Sequence, residues 1–137
     1  MQADSQTAPV SQKVLWTGRI LSALAVLMLL FSGTMKLIKP APVIEGFARY
    51  GYPERLILLV GFLEIACTIV YAIPRTTVLG AILMTGYLGG ATASNVRIGD
   101  PSHVVTVVLG VVVWLGLYLR DQRLRALIPL KSEERKP

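Results

Sequence analysis

Four long apolar stretches, broken by short polar or proline-marked segments, set the pattern of this chain. They cover roughly residues 14–38, 56–73, 77–96 and 104–119. None alternates with the period of two that marks a half-buried strand. Each is long enough as a helix, at 1.5 Å per residue, to approach the ~30 Å hydrocarbon thickness of a bilayer. The pattern predicts an all-α membrane protein, a four-transmembrane-helix antiparallel bundle. The second stretch, LILLVGFLEIACTIVYAI, carries Glu64 in its middle, near the depth where an ionised carboxylate is most costly.

The breaks carry their own signals. The first stretch has its densest apolar part at Ile20–Phe31, the length of a signal-peptide core. The long polar lead before it and the lack of an A-x-A-like site in FSGTMKLIKP favour a retained first span. Pro40 and Pro42 end that span. Residues 41–55 are too short and too charged to cross. Val43, Ile44, Phe47 and Tyr50 recur near helical spacing, with Glu45 and Arg49 on another side, which predicts a short helix lying on the interface. Gly51 reads as its C-cap and Pro53 as the opening of the second span. Pro74 and Arg75 mark a tight turn, Gly99 and Pro101 a loop, and Ser102 a cap for the fourth span. Residues 1–12 read as a disordered tail and 121–137 as a basic cytoplasmic tail, whose start, RDQRLRALIPL, has the makings of an interfacial helix.

Composition strengthens the membrane reading. Of 137 residues, 53% are hydrophobic and 16% charged, against about 25% charged in an ordinary soluble domain. Mean hydropathy is +0.59, and one domain accounts for the length. The net charge of +6 is therefore read as basic flanks beside an anionic leaflet rather than a nucleic-acid surface. Lys13, Arg19, Arg75, Arg120, Arg123, Arg125, Lys131, Arg135 and Lys136 fall on one side of the expected topology; Lys36, Lys39, Arg49, Arg55 and Arg97 fall on the other. The positive-inside rule then puts both termini in the cytoplasm. Trp16, Tyr71 and Tyr118 would form the cytoplasmic aromatic belt, and Tyr50 and Tyr52 the outer one.

Small residues suggest packing. Ser32 and Gly33 end the first span, Gly61 lies in the second, and Gly86, Gly90 and Ser94 form a stripe four residues apart in the third. Such residues let membrane helices approach closely, here against another helix of the bundle or against a second copy. The single cysteine, Cys67, forms no intrachain disulfide and reads as a small hydrophobe of the interior.

The chemistry gathers at the outer ends of the spans. Lys36 is the first expected partner of Glu64 and Arg97 the second. With Ser32, Asn95 and His103 they define a candidate polar cluster. It reads either as a structural ion pair or as an outward-facing pocket for a small lipophilic molecule or a partner protein. One histidine cannot hold a haem between two, and the chain shows no phosphate-cradling loop, nucleophile triad or metal cluster.

The sequences F-S-G-x-x-K-L at the end of the first span, G-F-x-x-Y-G-Y-P after it, and G-F-L-E-I-A in the second resemble the DoxX-like family of small bacterial membrane proteins. Gly33, Lys36, Gly51, Pro53, Gly61 and Glu64 are the matching positions, over about Val14–Leu119. The resemblance implies a four-helix bundle in the inner membrane of a bacterial cell. It also implies association with thiosulfate:quinone oxidoreductase or with membrane complexes handling thiol and oxidative stress, and distant relatives look like assembly factors. With no cysteine pair or haem ligands, the chain has no intrinsic cofactor in this reading. A quinone near Glu64, or a partner membrane subunit, would have to supply any redox carrier. A transporter would need a homo-oligomer, since four spans show no inverted repeat.

Overall fold

The computed structural model describes residues 10–127. Most of the expected N-terminal tail and the end of the basic tail lie outside the described residues. Among the described residues there are six helices: α1 (Gln12–Ile38), α2 (Ala41–Arg49), α3 (Arg55–Ala72), α4 (Thr77–Arg97), α5 (His103–Arg120) and α6 (Gln122–Leu127). α1, α3, α4 and α5 are each long and apolar enough to cross a membrane. In hydrocarbon every backbone polar group must be satisfied within the segment, and a helix does this without help from water. Residues 10–127 thus form a multi-pass membrane fold, with each span within one or two residues of its sequence-predicted bounds. Gln12, expected in the tail, already belongs to α1 and follows the N-cap Ser11, whose hydroxyl accepts from the Lys13 amide at 3.3 Å.

The spans form a ring, with α1 and α4 each packed against both α3 and α5. Successive spans run in opposite directions, so every neighbour around the ring is antiparallel. Leu27, Phe31, Leu59, Phe62, Ile82 and Val111 face outward, where lipid replaces water. The interior holds Ala25, Leu29, Cys67, Tyr71, Met84, Val113 and Leu117. Apolarity does not distinguish these two sets. In a membrane, packing shape and hydrogen bonds do.

Two glycine pairs bring α1 against its neighbours. A Cβ on Gly33 would meet the Ile65 side chain at 2.6 Å, and one on Gly61 would meet the Lys36 Cβ at 2.9 Å, so α1 and α3 touch closely there. Toward the other end, a Cβ on Gly116 would lie 2.6 Å from Ser22 Oγ, and one on Gly18 would lie 2.8 Å from the Gly116 carbonyl. The stripe expected to pack in α4 behaves differently. Built Cβ atoms on Gly86 and Gly90 meet nothing within 4 Å, and with Ser94 these residues border a cavity. They make room for space rather than for a helix of the bundle.

Tyr71 also departs from expectation. It is fully buried, not in an interfacial belt. Its hydroxyl donates to the Val113 carbonyl at 2.8 Å and accepts from Ser22 Oγ at 2.9 Å, tying α1, α3 and α5 together. Two partners on other helices hold the hydroxyl inside, and neither is visible from the local sequence.

Candidate functional site

The site begins with a turn of helix on either side of the α1–α3 glycine contact. Lys36 follows Gly33 by three residues and Glu64 follows Gly61 by three, so each charge lies on the same face as its glycine. Because Gly61 lacks a side chain, the Lys36 stem crosses directly over α3. Its Nζ donates to Glu64 Oε2 at 2.7 Å and to Ser32 Oγ, one turn back, at 2.7 Å. The side chains are 16% and 3% exposed, respectively. Charge assistance and the extra hydroxyl offset part of the desolvation cost of taking both ions out of water. Lys36 is therefore the partner that the sequence pointed to first.

A cavity of about 600 Å³ opens beside this pair. Met28, Leu29, Val60, Leu63, Leu88 and Leu109 give it apolar walls, while Ser32, Lys36, Glu64, Tyr87, Ser94 and Asn95 supply polar edges. Tyr87 comes from α4 and Glu64 from α3, so two helices supply these edges. Gly86 and Gly90 leave the α4 wall flat. Such a shape, mostly apolar with a few convergent polar groups, is typical of small-molecule sites.

α2 and the residues that follow it add Phe47, Tyr50 and Tyr52 to the lining and are joined to α4 by side chains. The Tyr50 hydroxyl donates to Asn95 Oδ1, and the Tyr52 hydroxyl donates to Ser94 Oγ at 2.7 Å. Ser94 in turn donates to the Gly90 carbonyl at 3.0 Å. Arg97, expected as a second partner for Glu64, instead donates to the Tyr50 carbonyl and sits over the Tyr52 ring at 5.9 Å. It locks α2 and does not reach the pair. His103 is not among the cavity-lining residues; its Nδ1 donates to the Asp100 carbonyl at 2.8 Å. Of the candidate cluster, Ser32, Lys36, Glu64 and Asn95 line the cavity, and Arg97 and His103 do not. Burial first, then the Asp100 charge, pushes the Tyr50 hydroxyl above its ordinary value, with Arg49 opposing. It stays a neutral donor.

Both α2 and α4 are followed by a glycine in the left-handed region. Gly51 has φ 77° and Gly99 has φ 69°. After α2, Gly51 N donates to the Ala48 carbonyl and Tyr52 N to the Phe47 carbonyl, with the Phe47 and Tyr52 rings 6.2 Å apart. After α4, Gly99 N donates to the Val96 carbonyl and Asp100 N to the Asn95 carbonyl. Both are Schellman caps. The first aims Tyr52 at α4, and the second aims Asp100 at α2, where Arg49 donates to its Oδ2 at 2.9 Å. The Ser102 side chain, expected as the cap of the fourth span, makes no capping bond. Asp100 Oδ1 accepts the Ser102 amide at 2.8 Å in its place.

Hydrogen bonds from Ser102, and then the Arg49 guanidinium, hold the Asp100 carboxyl below its ordinary range. Its charge thus ties α2 to the α4–α5 loop at neutral pH. The contribution is complete above the usual aspartate value near 4 and is lost as pH falls through the depressed one. Spin labels at Gly46 and Val96 should therefore report a constant α2–α4 distance above about pH 5. Below about pH 4 the distribution should broaden, and Arg49→Ala should broaden it at neutral pH. A distribution unchanged down to pH 2 would exclude this tether.

A ring of four membrane helices bordering a cavity, with a buried ion pair in its wall and a short helix contributing to its lining, defines a class of small multi-pass membrane protein. The chain belongs to the DoxX-like family, whose family model matches residues 20–116. Comparison with curated proteins gives no match, and comparison with solved structures gives none either. Tyr50, Tyr52 and Tyr87 are the site residues that sequence reasoning missed. The first two fit an interfacial aromatic belt by position alone, and Tyr87 lies in a span whose pattern does not assign its face.

Proposed function

We propose that the cavity beside Lys36 and Glu64 binds a small amphiphilic molecule drawn from the bilayer. The observation that carries this reading is a carboxylate in the wall of an apolar cavity of about 600 Å³, on a residue only 2% exposed. A purely structural ion pair needs no such space next to it, since interiors otherwise pack to near crystal density. The pair carries no net charge, so the site favours a neutral head group that both donates and accepts hydrogen bonds. Its apolar remainder would lie along Leu29, Leu63 and Leu109. Family membership supports an inner-membrane location, and the lysine and arginine distribution supports an outward α2 side, so the ligand would be held near the outer leaflet.

Mass spectrometry of molecules that copurify with the protein tests the reading directly. Gly86→Leu projects into the open space and should lower ligand retention roughly tenfold or more, with little change in melting temperature. A variant that retains its ligand at the wild-type level would sink the proposal.

A second reading has one observation in its favour. Tyr87 and the Lys36–Glu64 pair put proton-bearing groups on the lining of the same cavity. That suits a quinone, whose ring the Leu88 and Leu109 side chains would flank and whose oxygens Tyr52, Ser94 or Lys36 would meet. A bound quinone would supply two-electron chemistry, with a partner membrane subunit delivering the electrons. The residues of this chain would hold the ring and keep a proton at Glu64 or Tyr87. Glu64→Gln should then shift the pH profile of quinone-dependent turnover in a folded protein. Unchanged turnover would leave the non-catalytic binding reading alone.

A further inference from the structure

At the opposite end of the bundle two arginines lack partners. Nε of Arg120 and both Nε and Nη2 of Arg125 are buried from solvent without a hydrogen-bond partner among the described residues. Buried polar groups are nearly always satisfied, and an unpaired cationic donor is among the most costly exceptions. Arg120 ends α5 with its Cζ 5.8 Å from the Tyr71 ring centroid, a ring whose own hydroxyl is already used. Arg125 lies on α6, which packs back against α5.

The surroundings offer these two groups cations rather than anions. Lys13, Arg19, Arg75 and Arg123 share this end of the bundle, and Asp121 is its only acid among the described residues. Asp121 Oδ1 accepts from the backbone amides of Arg123 at 2.9 Å and Leu124 at 3.2 Å. No described ion pair joins it to either arginine. Among the described residues no carboxylate pairs with either guanidinium.

We infer that Arg120 and Arg125 form a binding site for a phosphate group where α5 meets α6. A guanidinium presents its N–H donors in a fixed planar fork that matches phosphate oxygens, and two of them supply both charge and direction. Such a phosphate belongs either to an anionic phospholipid head group or to a free phosphate ion. The position favours the lipid. α6 follows a membrane span directly, buries Leu124 and exposes Leu127, as a helix resting on the interface does. A cytoplasmic leaflet would present anionic head groups to this end.

The test uses the full chain, delipidated in an uncharged detergent and titrated separately with phosphatidylglycerol, phosphatidylcholine and inorganic phosphate. Melting temperature and native mass spectrometry are the readouts. Phosphatidylglycerol should raise the melting temperature and remain bound, while phosphatidylcholine does neither. Affinity should fall about fivefold for each of Arg120→Gln and Arg125→Gln. Arg123→Gln, whose side chain is exposed, should bind as wild type. A shift produced by inorganic phosphate alone would assign the site to a free ion and uphold the phosphate chemistry. Equal effects from the two lipids, or a double variant that binds phosphatidylglycerol like wild type, would overturn the inference. The wild-type titrations decide the matter even where a variant fails to fold.

Discussion

Glu64→Ala is expected to destabilise the folded protein by about 3–5 kcal/mol, because it strands the Lys36 ammonium in a largely buried position. The magnitude follows from the asymmetry of buried ion pairs. Forming the pair gains little over two apolar side chains of similar shape, since both ions were well hydrated before burial. Removing one member leaves the full desolvation penalty of the other. Among the described residues Ser32 is the only other hydrogen-bond partner of Lys36 Nζ, and a neutral hydroxyl cannot replace a carboxylate. Lys36→Met combined with Glu64→Leu removes both charges and should recover most of the loss. Unfolding free energies of the two single variants and the double variant, measured in detergent, complete the cycle. A double variant as unstable as Glu64→Ala would show that the pair's partners matter more than its charges. Ligand retention separates the roles: the double variant should be stable yet empty.

The second large effect is expected at Gly80. Thr76 Oγ1 donates to the Val70 carbonyl at 2.8 Å, and Thr77 Oγ1 to the Ile73 carbonyl at 2.9 Å, folding the α3–α4 turn tightly. That turn drives the first helical turn of α4 against the end of α3. A Cβ on Gly80 would fall 2.2 Å from Tyr71 N and 2.3 Å from Tyr71 Cα. Both are backbone atoms, which cannot swing aside as a side chain can. Gly80→Ala should therefore cost about 3 kcal/mol or more, the upper end of overpacking. It should also loosen the Tyr71 hydroxyl from Val113. Gly86→Ala is the control: with open space around it, exchange for alanine should be neutral or favourable by up to about 1 kcal/mol. Thermal unfolding of the two variants side by side checks the contrast, and equal effects would refute it.

The parts of this molecule that sequence made legible are those written along one helix. The spans, their ends at Pro40, Pro74 and Gly99, and the α2 cap at Gly51 are local signals. The Lys36–Glu64 pair was legible because a charge in an apolar run demands a partner, and few candidates lie at matching depth. The facing of each span was not legible. In a soluble helix the polar side marks the solvent; in α3 and α4 almost every side is apolar, so the period cannot say which face meets lipid. Gly33 and Gly86 look alike in the sequence. One meets the Ile65 side chain and the other borders a cavity. Tyr71 and Tyr52 were both given interfacial positions, yet their hydroxyls find partners on other helices that no local pattern announces.

The close pairing of Lys36 and Glu64 has an electrical consequence. A single charge crossing the full membrane field does work of about 2.3 kcal/mol per 100 mV. Opposite charges 2.7 Å apart move together and do almost none. The cavity wall therefore has the same energy in an energised membrane as in a discharged one. Either single substitution that leaves the other residue ionised turns this wall into a voltage-sensing element.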